Sequence, residues 1–211
     1  MSTIKYILFD AANTLIYKPQ LYINIQDILK NYGYNISLRT LQFNHKIVSE
    51  LYTFPDITSE DFYSKFNVSF LESMGIVSSQ ELLNSIFFSC KNLPWEPYTD
   101  TKHLLNSTLP IGVLSNFNNR LASILSKKLP GIEFKNIFIS ESLGVAKPDL
   151  HFFKLALQEI SLRPEEVLYV GDSMKLDIIP ALKLGMQVKL IDRIGNFKVS
   201  QYRIATLATL F

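Results

Sequence analysis

With 211 residues the chain can bury one good core and a smaller appendage, but not two full catalytic domains. Its 47% hydrophobic and 19% charged residues are those of an ordinary globular protein, and no apolar stretch approaches the length of a membrane span. A formal net charge of +2, with no basic run beyond Lys127-Lys128, gives no electrostatic basis for binding nucleic acid or an anionic membrane.

The first element in chain order is a short apolar run from Ile4 to Phe9 that meets Asp10 and then the small polar turn Ala11-Ala12-Asn13-Thr14. This pattern predicts a buried strand with a carboxylate at its C-terminal end. Such a carboxylate is costly unless it is used, and ligands of open α/β sheets bind beyond the C-terminal strand ends. Asp10 is therefore the first candidate for a reacting group. Lys5 inside the run, and the lack of a small-residue cleavage site, speak against a signal peptide.

From Pro19 to about Pro97 no run has strand character, and apolar residues recur at helical spacing in four blocks. The spacing predicts a helix from about Leu21 to Tyr32, closed by Gly33. A second is predicted from about Leu38 to Tyr52, presenting Leu41, Ile47, Val48 and Leu51 and ending near Pro55. Thr58 with Asp61, and Ser78 with Glu81, have the form of capping boxes for a third helix ending around Met74-Gly75 and a fourth over Gln80 to Cys90. Bracketed by prolines, residues 17–97 read as a helical domain inserted into an α/β core made of residues 1–16 and 98–211.

The core then alternates. Helices are predicted at about Asp100 to Asn106, Asn118 to Leu129, Asp149 to Ile160 and Leu176 to Gly185, and strands at Leu109 to Leu114, Asn136 to Ile139, Val167 to Val170 and Val188 to Ile191. This alternation implies a mainly parallel, Rossmann-like sheet with helices on both faces. The tail from Phe197 to Phe211 suits either a terminal helix or an extended arm.

Polar clusters follow three of these strands as one follows the first: Ser115-Asn116, then Lys147-Pro148 in a loop, then Gly171-Asp172-Ser173 with Asp177 five residues beyond Asp172. Singly each is ordinary, since Ser and Asn cap helices and Asp is common on helix surfaces. In this order, along the whole chain, they resemble the haloacid dehalogenase (HAD) superfamily, dominated by magnesium-dependent phosphatases that work through a phosphoaspartyl intermediate. The resemblance implies that residues 17–97 are a cap selecting the substrate and that Asp10 is the nucleophile on the central strand. It also implies that Ser115, Asn116 and Lys147 bind the phosphate of a small phosphorylated metabolite. Mg²⁺ would be held by Asp10, Asp172, Asp177 and the backbone carbonyl of Ala12, with Asp177 acting through water. The chemistry of the residues agrees: three carboxylates held together repel, and a hard divalent cation with oxygen ligands resolves the conflict.

One departure is Ala12, where the family's phosphatases carry a second Asp as general acid and base, work worth roughly a hundred- to ten-thousand-fold in rate. Asn13 beside it stands where Gly is common. Three functions stay open: an attenuated phosphatase, a phosphate-binding or regulatory protein with negligible turnover, and a phosphonatase-like C–P hydrolase using Lys30, Lys46 or Lys65. Retention of both Asp172 and Asp177 counts against a metal-free dehalogenase. His45, His103 and His151 lack metal-ligand spacing and are expected at the surface or a boundary. Cys90 is the single cysteine, expected as a core thiol in a reducing, cytoplasmic setting. Trp95 is expected as a packing anchor, and the protein as a monomer or homodimer.

Overall fold

Tyr6, Ile7, Leu8 and Phe9 are all buried, as a strand covered on both faces requires. They form β1 (Tyr6–Phe9) of the computed structural model, which describes residues 3–52 and 59–211. The further strands are β2 (Ile16–Tyr17), β3 (Glu96–Pro97), β4 (Ile111–Ser115), β5 (Phe134–Ile139), β6 (Val167–Gly171), β7 (Gln187–Ile191) and β8 (Arg203–Ile204). Six of them make one sheet in the order β5-β4-β1-β6-β7-β8, with every neighbouring pair parallel. β1 is flanked on both sides, with Phe9 in register with Val113 of β4 and Val170 of β6. All C-terminal strand ends therefore open on one side, where Ser115 ends β4 and Asp10 and Asp172 follow β1 and β6.

The chain divides into two compact units, Met1–Tyr17 with Glu96–Phe211, and Lys18–Trp95. Among the described residues the regular elements of the second are all helices: α1 (Leu21–Asn31), α2 (Leu38–Ser49), α3 (Glu60–Glu72) and α4 (Gln80–Cys90), packed on a core that includes Ile25, Leu29, Leu41, Phe66 and Phe70. Gly33, at a φ of 87°, closes α1. In α2, Leu41 and Val48 are buried while Ile47 and Leu51 are exposed. Residues seven apart share a helix face, whereas Ile47 lies about 100° away and Leu51 follows the helix end. The caps of the last two helices are Ser59, accepting from the Phe62 N–H, and Ser79, accepting from the Leu82 N–H. The cap foreseen at Ser78 thus sits one residue later, and Thr58 and Pro55 lie outside the described residues. Within this unit His45 is half-buried, edge-on to the rings of Tyr22, Phe66 and Phe70, and burial pushes the Cys90 thiol up to about 11. Lys18 Nζ lies 5.0 Å from the Trp95 ring centroid.

In the sheet unit the helices are α5 (Leu121–Lys128), α6 (Ser140–Leu143), α7 (Leu150–Ile160) and α8 (Ile179–Lys183). Thr99–Asn106 is a 3₁₀ helix, in place of the α-helix expected there. A π-helical turn, Met174–Ile178, precedes α8, because Pro180 has no N–H to bond four residues back. β2 and β3 pair antiparallel, Ile16 opposite Pro97, and at two residues each they are too short to show alternation in sequence. The tail resolves into neither alternative alone: Arg203–Ile204 adds a sixth strand and Leu207–Leu210 is a 3₁₀ turn.

Candidate active site

Asp10 continues β1, and its N–H still donates to the Val170 carbonyl at 2.8 Å, so the side chain is held at the strand end. Lys147 reaches it from the loop before α7. Its ammonium donates to Asp10 Oδ1 at 2.6 Å, to Asp177 Oδ1 at 2.7 Å and to the Tyr169 hydroxyl at 3.2 Å, which uses all three protons. Ser115, the last residue of β4, adds its hydroxyl to Asp10 Oδ1 at 3.1 Å. Asp10 Oδ1 therefore carries both donors, and no donor among the described residues reaches Oδ2.

Burial pushes the Asp10 carboxyl up to about 6; Lys147 pulls it down, and Asp177 and Asp172 add to the rise. Burial also works against the Lys147 charge, but Asp10 and Asp177 more than offset it and hold the ammonium protonated far above neutral pH. An ion pair this buried depends on complete hydrogen bonding, and here it is complete on the lysine side.

Asp177 is locked. Its Oδ2 accepts from the Ser173 N–H at 2.9 Å, and its Oδ1 takes Lys147 and the Tyr169 hydroxyl, the latter at 3.0 Å. Its carboxyl lies against the backbone at Gly171, where a Cβ would stand 2.4 Å from Asp177 Cγ. Only glycine leaves that room. Asp10, Asp172 and Asp177 each offer a carboxylate oxygen, and the three oxygens lie within 4.8 Å of one another. An all-oxygen, anionic donor set fits Mg²⁺. Of the three, Asp177 already accepts three donors. Among the turn carbonyls, Ala11 accepts from the Leu15 and Ile16 N–H groups and Asn13 and Thr14 from Arg193, while no donor among the described residues reaches Ala12.

The Asn116 side chain turns to Lys147. Its carboxamide donates to the Lys147 carbonyl at 2.8 Å and accepts from the Lys147 N–H at 2.7 Å, so its side chain holds the lysine's backbone. α5 starts at Leu121, five residues past Asn116, and no helix terminus adjoins Ser115 and Asn116. Pro148 lies in the loop before α7: the Lys147-Pro148 peptide is cis and Asp149 caps the helix. Tyr169 and Arg193 escaped sequence reasoning. Tyr169 sits in an apolar strand where a tyrosine reads as core, and Arg193 follows β7 with no local pattern around it. Asn13 does carry a signal, since it occupies the left-handed region at a φ of 61° where glycine is favoured.

A family model described as haloacid dehalogenase-like hydrolase matches residues 4–185. The chain belongs to the haloacid dehalogenase-like hydrolase family. Over 53 residues this HAD-like chain is 47% identical to the glyceraldehyde 3-phosphate phosphatase of Methanocaldococcus jannaschii, covering 25% of this chain and 23% of that protein. Over 118 residues it is 32% identical to haloacid dehalogenase-like hydrolase domain-containing protein 3 of Danio rerio, covering 54% of this chain and 49% of that protein. The matches thus span about half the length of these curated relatives, or less. The HAD-hydrolase YfnB of Bacillus subtilis, solved bound to magnesium, shares the fold with a TM-score of 0.68 and 16% identity over 99% of this chain and 97% of that one. The L-2-haloacid dehalogenase RSc1362 shares it with a TM-score of 0.67 and 16% identity over the same 99% and 97%.

Proposed function

We propose that this HAD-like protein is a Mg²⁺-dependent phosphatase of a small phosphorylated metabolite, acting through an aspartyl-phosphate on Asp10. The observation that supports it is the asymmetry of Asp10: Oδ1 is held by Lys147 and Ser115, while no donor among the described residues reaches Oδ2. A carboxylate oriented through one oxygen keeps the other for phosphorus or metal. Asp10 attacks phosphorus as the ester P–O bond breaks, and the leaving alkoxide takes a proton from solvent or from the substrate itself. Water then attacks the aspartyl-phosphate, releasing inorganic phosphate and restoring Asp10. Throughout, Lys147 stays charged against Asp10 and Asp177, and Ser115 holds Oδ1 in place. Asp10, Asp172 and the Ala12 carbonyl would hold Mg²⁺, with Asp177 acting through water, and the ion would supply charge neutralisation for the phosphoryl oxygens.

Ala12 cannot protonate a leaving group, so turnover is slow where that group is poor. The helical unit Lys18–Trp95 is assigned as the family's substrate-selecting cap. We place the protein in the cytoplasm as a monomer or homodimer without nucleic-acid or membrane partners. Its net charge of +2 and single cysteine support this, and among the described residues no helix is long and apolar enough to cross a membrane.

A second reading, a phosphate-binding or regulatory protein with negligible turnover, is favoured by Ala12 alone. A third reading is C–P cleavage through an imine of Lys30, Lys46 or Lys65, of which Lys46 is ion-paired with Glu50 at 3.7 Å and Lys65 with Asp61 at 2.8 Å. The test is phosphate release from p-nitrophenyl phosphate and a panel of sugar phosphates, with and without Mg²⁺, for wild type and Ala12→Asp. The expected result is Mg²⁺-dependent hydrolysis of the activated ester by both, with Ala12→Asp gaining activity on the sugar phosphates. Metal-dependent phosphate binding with no turnover by either protein would favour the second reading.

A further inference from the structure

Arg193 follows β7, is half-buried, and spends its guanidinium in three directions. Nε and Nη2 hold the two Asp100 carboxylate oxygens at 3.0 and 2.7 Å. Nη2 also donates to the Thr14 carbonyl at 2.9 Å and Nη1 to the Asn13 carbonyl at 3.3 Å. The guanidinium carbon lies 3.7 Å from the Tyr98 ring centroid, and the Tyr17 ring stacks on Tyr98 at 4.2 Å. Two groups that close to one ring occupy opposite faces, so Tyr98 is sandwiched. Its N–H donates to the Leu15 carbonyl at 3.0 Å, which ties the same turn a second time. Asp100 in turn accepts from the Thr206 hydroxyl at 3.2 Å and the Leu207 N–H at 3.0 Å.

The turn held in this way is the one that follows Asp10. It contains Asn13 in the left-handed region, a conformation that persists in a residue other than glycine only when the surroundings impose it. We propose that Arg193 is a positioning residue for the site: by occupying the Asn13 and Thr14 carbonyls it fixes this turn with the Ala12 carbonyl open to a cation. Through Asp100 it also makes the turn dependent on the C-terminal segment. Arg193, Thr206 and Leu207 lie beyond residues 4–185 matched by the family model, so the brace is not part of what that match covers. Lysine is no substitute, because a single ammonium cannot grip a carboxylate in two places, reach two carbonyls and stack flat on a ring together. The functional consequence rests on the reading of Ala12 as a metal ligand; the bracing of the turn does not.

The experiment uses the full chain as wild type, Arg193→Ala, Arg193→Lys and Asp172→Asn. Amide hydrogen exchange at Leu15 and Ile16 is followed without metal, and Mg²⁺ affinity by titration calorimetry, with methylguanidinium added back to Arg193→Ala. Expected are faster exchange at Leu15 and Ile16 with the β4 amides unchanged, Mg²⁺ affinity weakened roughly ten- to a hundred-fold, and partial recovery with methylguanidinium. Arg193→Lys, which keeps the charge if the alanine variant fails to fold, should behave like Arg193→Ala. Wild-type exchange at Leu15 and Ile16 in either variant overturns the brace, and wild-type Mg²⁺ affinity overturns its link to the metal. If Asp172→Asn also binds Mg²⁺ as wild type does, the assigned metal site is at fault, and the exchange rates alone then decide the role of Arg193.

Discussion

Asn116 and Lys147 hold each other through two hydrogen bonds, the carboxamide giving one to the lysine's carbonyl at 2.8 Å and taking one from its N–H at 2.7 Å. The ammonium at the other end of the same residue is bound by Asp10, Asp177 and Tyr169. Lys147 is thus pinned at backbone and tip, and the clasp sets where its charge falls.

Asn116→Ala removes the backbone half of that arrangement. We expect kcat to fall on the order of a hundred-fold with KM little changed, since a small displacement of a reacting constellation has costs of that order. Stability should drop by about 1–3 kcal/mol for the two lost partners, measurable as a shift in urea midpoint. A rise in KM at unchanged kcat would instead make Asn116 a substrate contact.

Tyr169→Phe keeps the ring, which packs 5.2 Å from Phe153, and deletes only the hydroxyl between Lys147, Asp177 and the Leu114 carbonyl. One lysine proton and one carbonyl are left without this partner. The variant should lose about 1–3 kcal/mol of stability and part of its kcat, read together from denaturation and steady-state rates.

Gly171→Ala would place a Cβ 2.4 Å from Asp177 Cγ, in a carboxyl that cannot move without releasing Ser173, Lys147 and Tyr169. We expect a destabilisation of about 1–3 kcal/mol and a loss of Mg²⁺-dependent turnover. Calorimetric Mg²⁺ titration of the variant checks the second outcome independently of activity.

His45 predicts a pH effect in the helical unit. Burial lowers its pKa from 6.5 to about 4, with Lys46 and Lys18 pushing the same way. Between those values the unfolded chain binds the proton and the folded chain does not. Stability from this group is therefore fully present above pH 6.5 and is lost progressively as the pH falls towards about 4. His45→Gln should flatten the urea midpoint across that window, although Tyr22, which lies 3.3 Å from His45 Nδ1, also changes partner.

Much of the fold was legible because its signals are local. The all-apolar β1 and the helical spacing of Leu41 and Val48 are patterns within one strand or two turns. Boundaries slipped where the local signal was split, as between Ser78 and Ser79, and the β2–β3 pairing was hidden because its partners are far apart in sequence.

The sequence by itself determined that the strands are apolar, that they end in Asp10, Ser115 and Gly171-Asp172, and that a helical block interrupts them after the first. Those properties follow from side-chain chemistry and short-range periodicity. Only the tertiary structure decided which atoms meet. A parallel sheet brings all those strand ends to one side, so Lys147 spans Asp10 and Asp177 across residues far apart in the chain. It also turned Asn116 towards the Lys147 backbone, buried the Tyr169 hydroxyl among charges, and carried Arg193 to the turn after Asp10. Such contacts are set by three-dimensional packing and the pairing of buried polar groups, and neither has a period along the chain.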